Sequence, residues 1–274
     1  MDIKAFKMDG LGNDFVIIDQ RYQNYNLTKD QIIKICDRKF IGCDQLIFIQ
    51  KSDEKDAGLE FYNSDGSVSG ACGNGTRCVA DLLSKENHDK EIILWTSSGA
   101  LKSQILDDNL VETEIGVPKT NWNEIPLNQN LDTKNLNIKI VNKKNIEHVG
   151  GTSVNVGNPH VVFFVDSIED YDLKKIGPEI ENHSYFPEKC NVTLAQVINK
   201  KLIKVKVWER GAGLTKACGT AACATAVAAN INELTDKTTD IEFALGKLSI
   251  SIDENNSIHM KGPVSDIKNI EINI

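Results

Sequence analysis

Short hydrophobic runs recur along the whole chain, and their pattern predicts β-strands more often than helices. Most runs alternate apolar with polar residues or are rich in β-branched residues, which suits a pleated, half-buried surface. The runs are FVIID (15–19), DQLIFI (44–49), GLEFYN (58–63), EIILWT (91–96), VETEIGV (111–117), NIKIV (137–141), HVVFFV (160–165), KLIKVKVW (201–208), IEFAL (241–245), KLSISI (247–252) and EINI (271–274).

Helical periodicity is confined to fewer segments. TKDQIIKICDRK (28–39) spaces its apolar residues for one helix face and starts with Thr28, a candidate N-cap. Further helices are predicted after Cys72 and, as the longest of them, from Cys218 to Asn230. Many strands, few helices and no regular alternation of the two predict an α+β fold.

Composition narrows the function classes. The 274 residues carry a formal net charge of −8, whereas nucleic-acid-binding proteins usually show a basic footprint, so we expect no nucleic-acid partner. No segment has the ~20 apolar residues of a membrane span or the apolar core of a signal peptide, so no membrane association is expected. Seven cysteines, an odd number without a secretion signal, predict reduced thiols in the cytoplasm.

Two stretches, ACGNGTRCVA and ACGTAACATA, share an Ala-Cys-Gly opening followed by small residues. The offset from Cys72 to Cys218 is 146 residues, and the offset from Cys78 to Cys223 is 145. A nearly constant offset between similar motifs is the signature of an internal repeat.

A third pair of landmarks supports the same duplication. Asn13 and Asn158, each in a Gly-Asn loop before a strand-like run, are 145 residues apart. The sequence therefore predicts two similar halves, with the polar segment 119–135 as the crossing between them.

A cysteine at the start of a helix is chemically distinctive. The first N–H groups of a helix have no intrahelical partner and carry partial positive charge. A thiol placed there is expected to have a lowered pKa, which makes it a better base or nucleophile. Gly73, Gly75 and Gly219 would let a carboxylate or phosphate approach those N–H groups. Each turn therefore predicts a reactive thiol, at Cys72 or Cys218, beside an anion site.

Simpler roles compete with this one. A single cysteine is more often a buried small hydrophobe, which is what we expect for Cys36, Cys78 and Cys223 within apolar helix patterns. Steps of six and five residues between the cysteines of each turn do not suit zinc, so no metal is expected. No cofactor is expected either, because no complete dinucleotide or Walker motif is present and no lysine stands out as a pyridoxal anchor.

Three functions remain open from the residues alone. A cysteine hydrolase or transferase would pair one thiol with His160 as its base, but it leaves the second turn unexplained. Two equivalent bases suit the inversion of a stereocentre, in which one face loses a proton and the other face receives one. A protein that kept the fold and only binds a ligand is the third possibility.

Six longer stretches occur together, in this order, in one known family. They are KMDGLGNDFVIID (7–19), GCDQLI (42–47), FYNSDGSVSGACGNGTRC (61–78), VGNPHVVFFVD (156–166), FPEKCNV (186–192) and INKKLIKVKVWERGAGLTKACGTAACA (198–224). These stretches span nearly the whole chain, and in them the sequence resembles the diaminopimelate epimerase family of cofactor-independent amino-acid racemases and epimerases.

The resemblance implies an architecture and a reaction. Two pseudo-symmetric domains would each consist of a mixed sheet wrapped around a central helix, with the active site in the cleft between them. The domains would span 1–118, completed by the returning last strand in 263–274, and 119–262. A cytoplasmic homodimer would convert LL-2,6-diaminopimelate to meso-diaminopimelate without cofactor or metal, for lysine and peptidoglycan synthesis.

The resemblance also implies site residues. Cys72 and Cys218 would be the two acid/base thiols. Backbone N–H groups holding the carboxylate of the reacting centre would belong to Gly73, Asn74, Gly219 and Thr220. Side chains contacting the substrate would be Asn13, Gln45, Asn63, Asn158 and Asn191. Arg210 would bind the distal carboxylate and Glu209 the distal ammonium, and His160 and Glu209 are candidates for catalytic support.

Two residues depart from the family pattern. Asp-Gly-Ser is followed by Val68, where Glu is more usual, and Ala221 stands where Gly is common. Because a methyl group narrows the approach to the backbone, Ala221 is expected to affect the anion geometry but not the reaction.

Overall fold

The chain divides into two compact units, Met1–Glu114 with Lys261–Ile274, and Ile115–Met260. The residues that the computed structural model describes are 2–70, 72–97, 99–106 and 109–274. Ala71, which precedes the first Cys-Gly turn, lies outside the described residues.

The N-terminal part of the chain forms a mixed sheet. Its strands are β1 (Asp2–Gly10), β2 (Asn13–Asp19), β3 (Gln45–Gln50), β4 (Ala57–Asn63), β5 (Val68–Ser69), β6 (Glu91–Thr96), β7 (Gly99–Ile105) and β8 (Leu110–Gly116). Its helices are α1 (Lys29–Cys36) and α2 (Gly73–Asn87). Parallel pairs join β2 to β3 and β4 to β6, and antiparallel pairs join β1 to β2, β3 to β4 and β6 to β7.

The strands of this sheet pack around helix α2. Ten consecutive residues, Asn74 to Leu83, are buried, and the helix contacts β1, β2, β6 and β7. By contrast α1 is a surface helix, and Thr28 caps it as predicted. The Thr28 hydroxyl accepts from the N–H of Gln31 at 3.3 Å, while the Gln31 side chain accepts from the N–H of Thr28 at 2.9 Å.

The remaining elements follow in chain order. The strands are β9 (Ile138–Val141), β10 (Glu147–Gly150), β11 (Thr152–Asn155), β12 (Pro159–Phe164), β13 (Asn191–Asn199), β14 (Leu202–Glu209), β15 (Gly213–Thr215), β16 (Thr238–Phe243), β17 (Gly246–Ile252), β18 (Ile258–Pro263) and β19 (Lys268–Asn273). The helices are α3 (Leu173–Glu181) and α4 (Gly219–Ile231), with a 3₁₀ turn at Ile168–Asp170. Within the described ranges, no helix combines the length and apolarity that crossing a membrane requires.

The second unit repeats the strand pairing of the first. Parallel pairs join β12 to β13 and β14 to β16, and antiparallel pairs join β11 to β12, β13 to β14 and β16 to β17. Helix α4 contacts β11, β12, β13, β16 and β17, and its alanines are buried against them. The α+β class, the duplication and the sheet around a central helix are therefore confirmed.

One landmark of the predicted repeat is wrong. Helix α2 begins at Gly73 and α4 at Gly219, an offset of 146 residues. Cys78 is thus the sixth residue of its helix but Cys223 the fifth of its own, so Arg77 and not Cys78 holds the place of Cys223. The prediction that the helix after Cys218 is the longest is also wrong, because α2 has 15 residues and α4 has 13.

Segments near the unit boundary differ from a simple linker. Strand β19 pairs antiparallel with β1, with Ile3 opposite Ile272, so the C-terminus completes the first sheet. The segment 119–135 belongs to the second unit, where Ile125 and Leu127 are buried in its core. The polar composition of this segment gave no sign that Ile125 and Leu127 pack in the core, because only a few of its side chains are buried.

The close packing of α3 on β14 gives a stability prediction. A Cβ at Gly177 would lie 2.4 Å from Cδ2 of Trp208, well inside van der Waals contact. We expect Gly177→Ala to lower the free energy of unfolding in urea by about 1–3 kcal/mol, because the indole must shift. Gly58→Ala is the control, since its Cβ would approach no atom closer than 3.4 Å. Equal stability of both variants would contradict this account of the packing.

Candidate active site

Cys72 and Cys218 occupy the same place in their units. Each is the N-cap of its helix, with φ −143° in both cases and ψ of 108° and 118°. An N-cap side chain normally accepts hydrogen bonds from first-turn N–H groups, and the Cys218 sulfur accepts one from the N–H of Ala221. First-turn N–H groups have no intrahelical acceptor, so each turn is suited to hold an anion.

Amide side chains surround Cys72. Its sulfur lies 3.7 Å from Oδ1 of Asn13, and Nδ2 of Asn74 donates to the same oxygen at 3.3 Å. Oδ1 of Asn74 accepts from Nη2 of the fully buried Arg77 at 2.9 Å. Arg77 was not among the predicted site residues, although its position three residues after Asn74 on a helix indicates that the two side chains are in contact.

Gln45 and Asn63 lie at the same sheet edge as Asn13. Strands β2 and β3 are parallel and begin at Asn13 and Gln45, and antiparallel β4 ends at Asn63. Nε2 of Gln45 donates to Oδ1 of Asn63 at 2.9 Å, and Nδ2 of Asn63 donates to the Ser67 hydroxyl at 3.0 Å. The structure therefore brings Gln45 and Asn63 to the same sheet edge as Asn13, and Asn13 lies beside Cys72.

The second thiol has a different environment. Cys218 is 7% exposed, and its sulfur lies 3.3 Å from the hydroxyl of Thr220. Burial raises the pKa of the Cys218 thiol well above its usual value, and the negative charge of Glu209 raises it further. The expectation of a lowered pKa is therefore wrong for Cys218, because desolvation outweighs the helix N-terminus.

The two sheet edges differ in charge. Asn191 begins β13 and Glu209 ends β14, the places that Gln45 and Asn63 hold in the first unit. The second unit thus has a carboxylate where the first has a neutral amide. This asymmetry is a reason for the two thiols to differ in proton affinity.

Asn191 and Arg210 are joined. Asn191 is 3% exposed, its Nδ2 donates to the carbonyl of Pro159 at 3.0 Å, and its Oδ1 accepts from the N–H of Arg210 at 2.9 Å. The exposed Arg210 guanidinium donates through Nη1 to the carbonyl of Glu188 at 2.8 Å. Both ends of the Asn191 amide are therefore bonded within the protein, in positions that orient Arg210.

His160 is buried beside Asn158. Its Nε2 lies 2.8 Å from Oδ1 of Asn158, and within the described residues its Nδ1 has no hydrogen-bond partner. Burial and, secondarily, the positive charge of Arg210 lower the pKa of His160 to about 3. So weak a base is poorly suited to deprotonate a thiol, which disfavours the hydrolase hypothesis.

The buried histidine predicts a pH dependence of stability. Below pH 6.5 the unfolded chain binds a proton at His160, whereas the folded protein resists protonation until about pH 3. The contribution of neutral His160 to the free energy of unfolding is therefore fully present above pH 6.5, and it is lost as the pH falls from 6.5 towards 3. We expect His160 to account for about 2 kcal/mol of lost unfolding free energy between pH 7 and 5.

The measurement is urea unfolding at both pH values, with His160→Gln as the non-titrating reference. The variant should lose less stability on acidification than the wild type. Equal losses would show that His160 is not the group responsible.

Two positions expected to shape the anion sites belong to the core instead. A Cβ at Gly75 would lie 2.7 Å from Cδ1 of Ile47 and 3.0 Å from Cε1 of Phe61, so glycine here allows the helix to approach the sheet. Ala221, its counterpart, is fully buried, while Val68 is 69% exposed on β5. The expected effect of Ala221 on ligand approach is therefore not supported by its location.

Solved structures share this fold. A phenazine biosynthesis protein of the PhzF family from Bacillus anthracis aligns with a TM-score of 0.70 and 15% identity, covering all of both chains. A hydroxyproline epimerase from Agrobacterium vitis, with trans-4-hydroxy-L-proline bound, aligns with a TM-score of 0.68 and 11% identity, over 99% of this chain and 92% of that one. The chain therefore shares the fold of these two proteins.

Sequence comparison identifies the family. The diaminopimelate epimerase model matches residues 5–120 and 152–267. A diaminopimelate epimerase from Pelagibacter ubique (strain HTCC1062) is 76% identical over the whole of both chains, and one from Caulobacter sp. (strain K31) is 42% identical over 94% of this chain and 93% of its own. The chain belongs to the diaminopimelate epimerase family, the isomerases that convert LL-diaminopimelate to the meso isomer in lysine biosynthesis.

Proposed function

We propose that Cys72 and Cys218 carry out the epimerisation as an acid/base pair. One thiolate removes the α-proton and the other thiol delivers a proton to the opposite face. The observation that supports this most strongly is the duplicated placement of two cysteines as the N-caps of the buried helices of the two units. The proposal includes the requirement that Cys72 and Cys218 act on the same substrate molecule.

The remaining site residues follow from this arrangement. N–H groups of Gly73, Asn74, Gly219 and Thr220 bind the reacting carboxylate, and the helix N-termini stabilise negative charge that moves onto it. Side chains proposed to position the substrate are Asn13, Gln45, Asn63, Asn158, Asn191 and Arg210.

Glu209 has two proposed roles, and its contact favours one of them. It forms a side-chain hydrogen bond with the Cys218 thiol. A carboxylate in this place can accept the thiol proton and so generate the thiolate when the meso isomer reacts. We therefore favour Glu209 as catalytic support for Cys218 over a contact with the distal ammonium, with the neutral His160 as a nearby hydrogen-bonding group.

The broader setting is proposed as well. We propose a cytoplasmic homodimer that uses no cofactor or metal. We also propose that the catalytic domains are 1–118 with 263–274, and 119–262. Gel filtration with light scattering tests the dimer.

Reaction in heavy water tests the two-base mechanism. The delivering thiol carries solvent deuterium, so at low conversion the product should contain deuterium at the α-carbon after one turnover. Recovered LL-diaminopimelate should stay largely protonated, because the abstracting thiol returns the original hydrogen. Substantial protium in the product's new α-position would show that one base serves both faces.

A further inference from the structure

A continuous line of hydrogen bonds connects Cys72 with a buried cation and a surface carboxylate. On one side, Nη2 of Arg77 donates to Asn74, whose Nδ2 donates to Oδ1 of Asn13. On the other side, Nδ2 of Asn13 donates to Oδ2 of Asp44 at 3.1 Å. The shared oxygen of Asn13 is the atom that lies 3.7 Å from the Cys72 sulfur.

Arg77 and Asp44, at the two ends of this series of hydrogen bonds, determine which way the two amides between them are oriented. A guanidinium only donates hydrogen bonds and a carboxylate only accepts them, whereas an amide does both and can be turned around. Arg77 therefore requires the oxygen of Asn74 to face it, and Asp44 requires the nitrogen of Asn13 to face it. Both constraints turn the oxygen of Asn13 towards the thiol.

An acceptor beside a thiol favours its protonated form. The S–H group can donate to an amide oxygen, while a thiolate gains nothing from it and is repelled. An amide nitrogen in the same place would donate to the sulfur and favour the thiolate. The orientation of one amide thus changes how readily Cys72 holds its proton.

We propose that Arg77 and Asp44 are positioning residues that lock the Asn13 amide with its oxygen towards Cys72 and thereby set the proton affinity of that thiol. The inference rests on the proposed role of Cys72 as an acid/base group. Neither residue touches the substrate in this scheme. Each acts through Asn13, and because either end alone fixes the amide, only the loss of both releases it.

The test compares three variants of the full-length protein. Asp44→Asn removes the carboxylate that only accepts hydrogen bonds. Asp44→Asn with Arg77→Gln also removes the guanidinium that only donates them. Asp44→Asn with Arg77→Lys keeps a group at position 77 that only donates. The readout is the rate of iodoacetamide alkylation at Cys72 as a function of pH, followed by mass spectrometry of its peptide. Alkylation of Cys218 in the same samples is the internal reference.

We expect Asp44→Asn alone to behave like the Asp44→Asn/Arg77→Lys variant. Asp44→Asn/Arg77→Gln should alkylate Cys72 about ten-fold faster at pH 7, because a turned Asn13 stabilises the thiolate. Loss of the Arg77 charge by itself would slow alkylation, so the sign of the change separates orientation from charge. An unchanged or slower rate relative to Asp44→Asn would overturn the proposal.

Neutron diffraction of the wild-type protein provides a measurement that does not depend on variants, and it remains decisive if the Arg77→Gln protein fails to fold. Deuterons on Asn13 should point at Asp44, and those on Asn74 at Asn13. The opposite orientation would overturn the lock. Both readouts are independent of turnover, so a one-base result in heavy water would reject the proposed function without deciding this inference.

Discussion

Replacing either of the two cysteines proposed as acid/base groups is expected to produce the largest loss of activity. Cys218→Ala and Cys72→Ala should each lower kcat/KM for LL-diaminopimelate about 10³-fold or more, because a positioned proton donor or acceptor contributes about 10²–10⁴-fold and both faces need one. Chiral chromatography of the two isomers measures the rate. The double variant should be little worse than either single variant, since the pair acts as a unit.

Cys78→Ala is the matched control for this prediction. Cys78 lies in the same helix as Cys72, but it is fully buried in the core. Its loss should lower stability and leave kcat/KM near the wild-type value. A Cys72→Ala protein that retained most of its turnover would contradict the assigned role.

Arg210→Lys is expected to have the second-largest effect. A guanidinium binds a carboxylate through two parallel hydrogen bonds, and a lysine ammonium cannot reproduce that geometry. We expect a loss of about 10–100-fold in kcat/KM for diaminopimelate, the equivalent of one charge-assisted hydrogen bond. Steady-state kinetics with saturating and limiting substrate separates binding from turnover.

Arg21→Lys controls for the general loss of a guanidinium. Arg21 makes a forked contact with Asp19 and also pairs with Glu86. Its replacement should lower stability with little change in kcat/KM. If both lysine variants lost activity equally, the loss at Arg210 would reflect folding, and the distal carboxylate would need another partner.

The hydrophobic pattern predicted the strands that alternate clearly, and it missed others. Strand β13, NVTLAQVIN, is buried from its first residue through Ala195, yet it was not identified. Strand β1 was missed too, although Ile3 and Ala5 alternate with exposed residues and, after an interruption, Met8 is buried. Short or interrupted alternation is a weak signal, and these strands are held by pairing with partners that are distant in sequence.

The candidate site was predicted from local sequence motifs and from the family resemblance. The Cys-Gly turns are local, and their helix starts were found from a few neighbouring residues. The hydrogen bonds of Arg77 with Asn74 and of Asp44 with Asn13 were not predicted. The spacing of Asn74 and Arg77 on one helix indicates their contact, but Asn13 and Asp44 are distant from that helix in sequence, so spacing contained no sign of the rest of the network.

The sequence by itself determined where the two cysteines sit, since glycine and small residues after each one favour a helix start there. Only the tertiary structure decided their chemistry. The pKa of Cys218 is raised by burial and by Glu209 from β14, and that of His160 is lowered by burial and by Arg210. Proton affinity depends on solvent exclusion and on charges brought close by folding, which the order of residues along the chain does not specify.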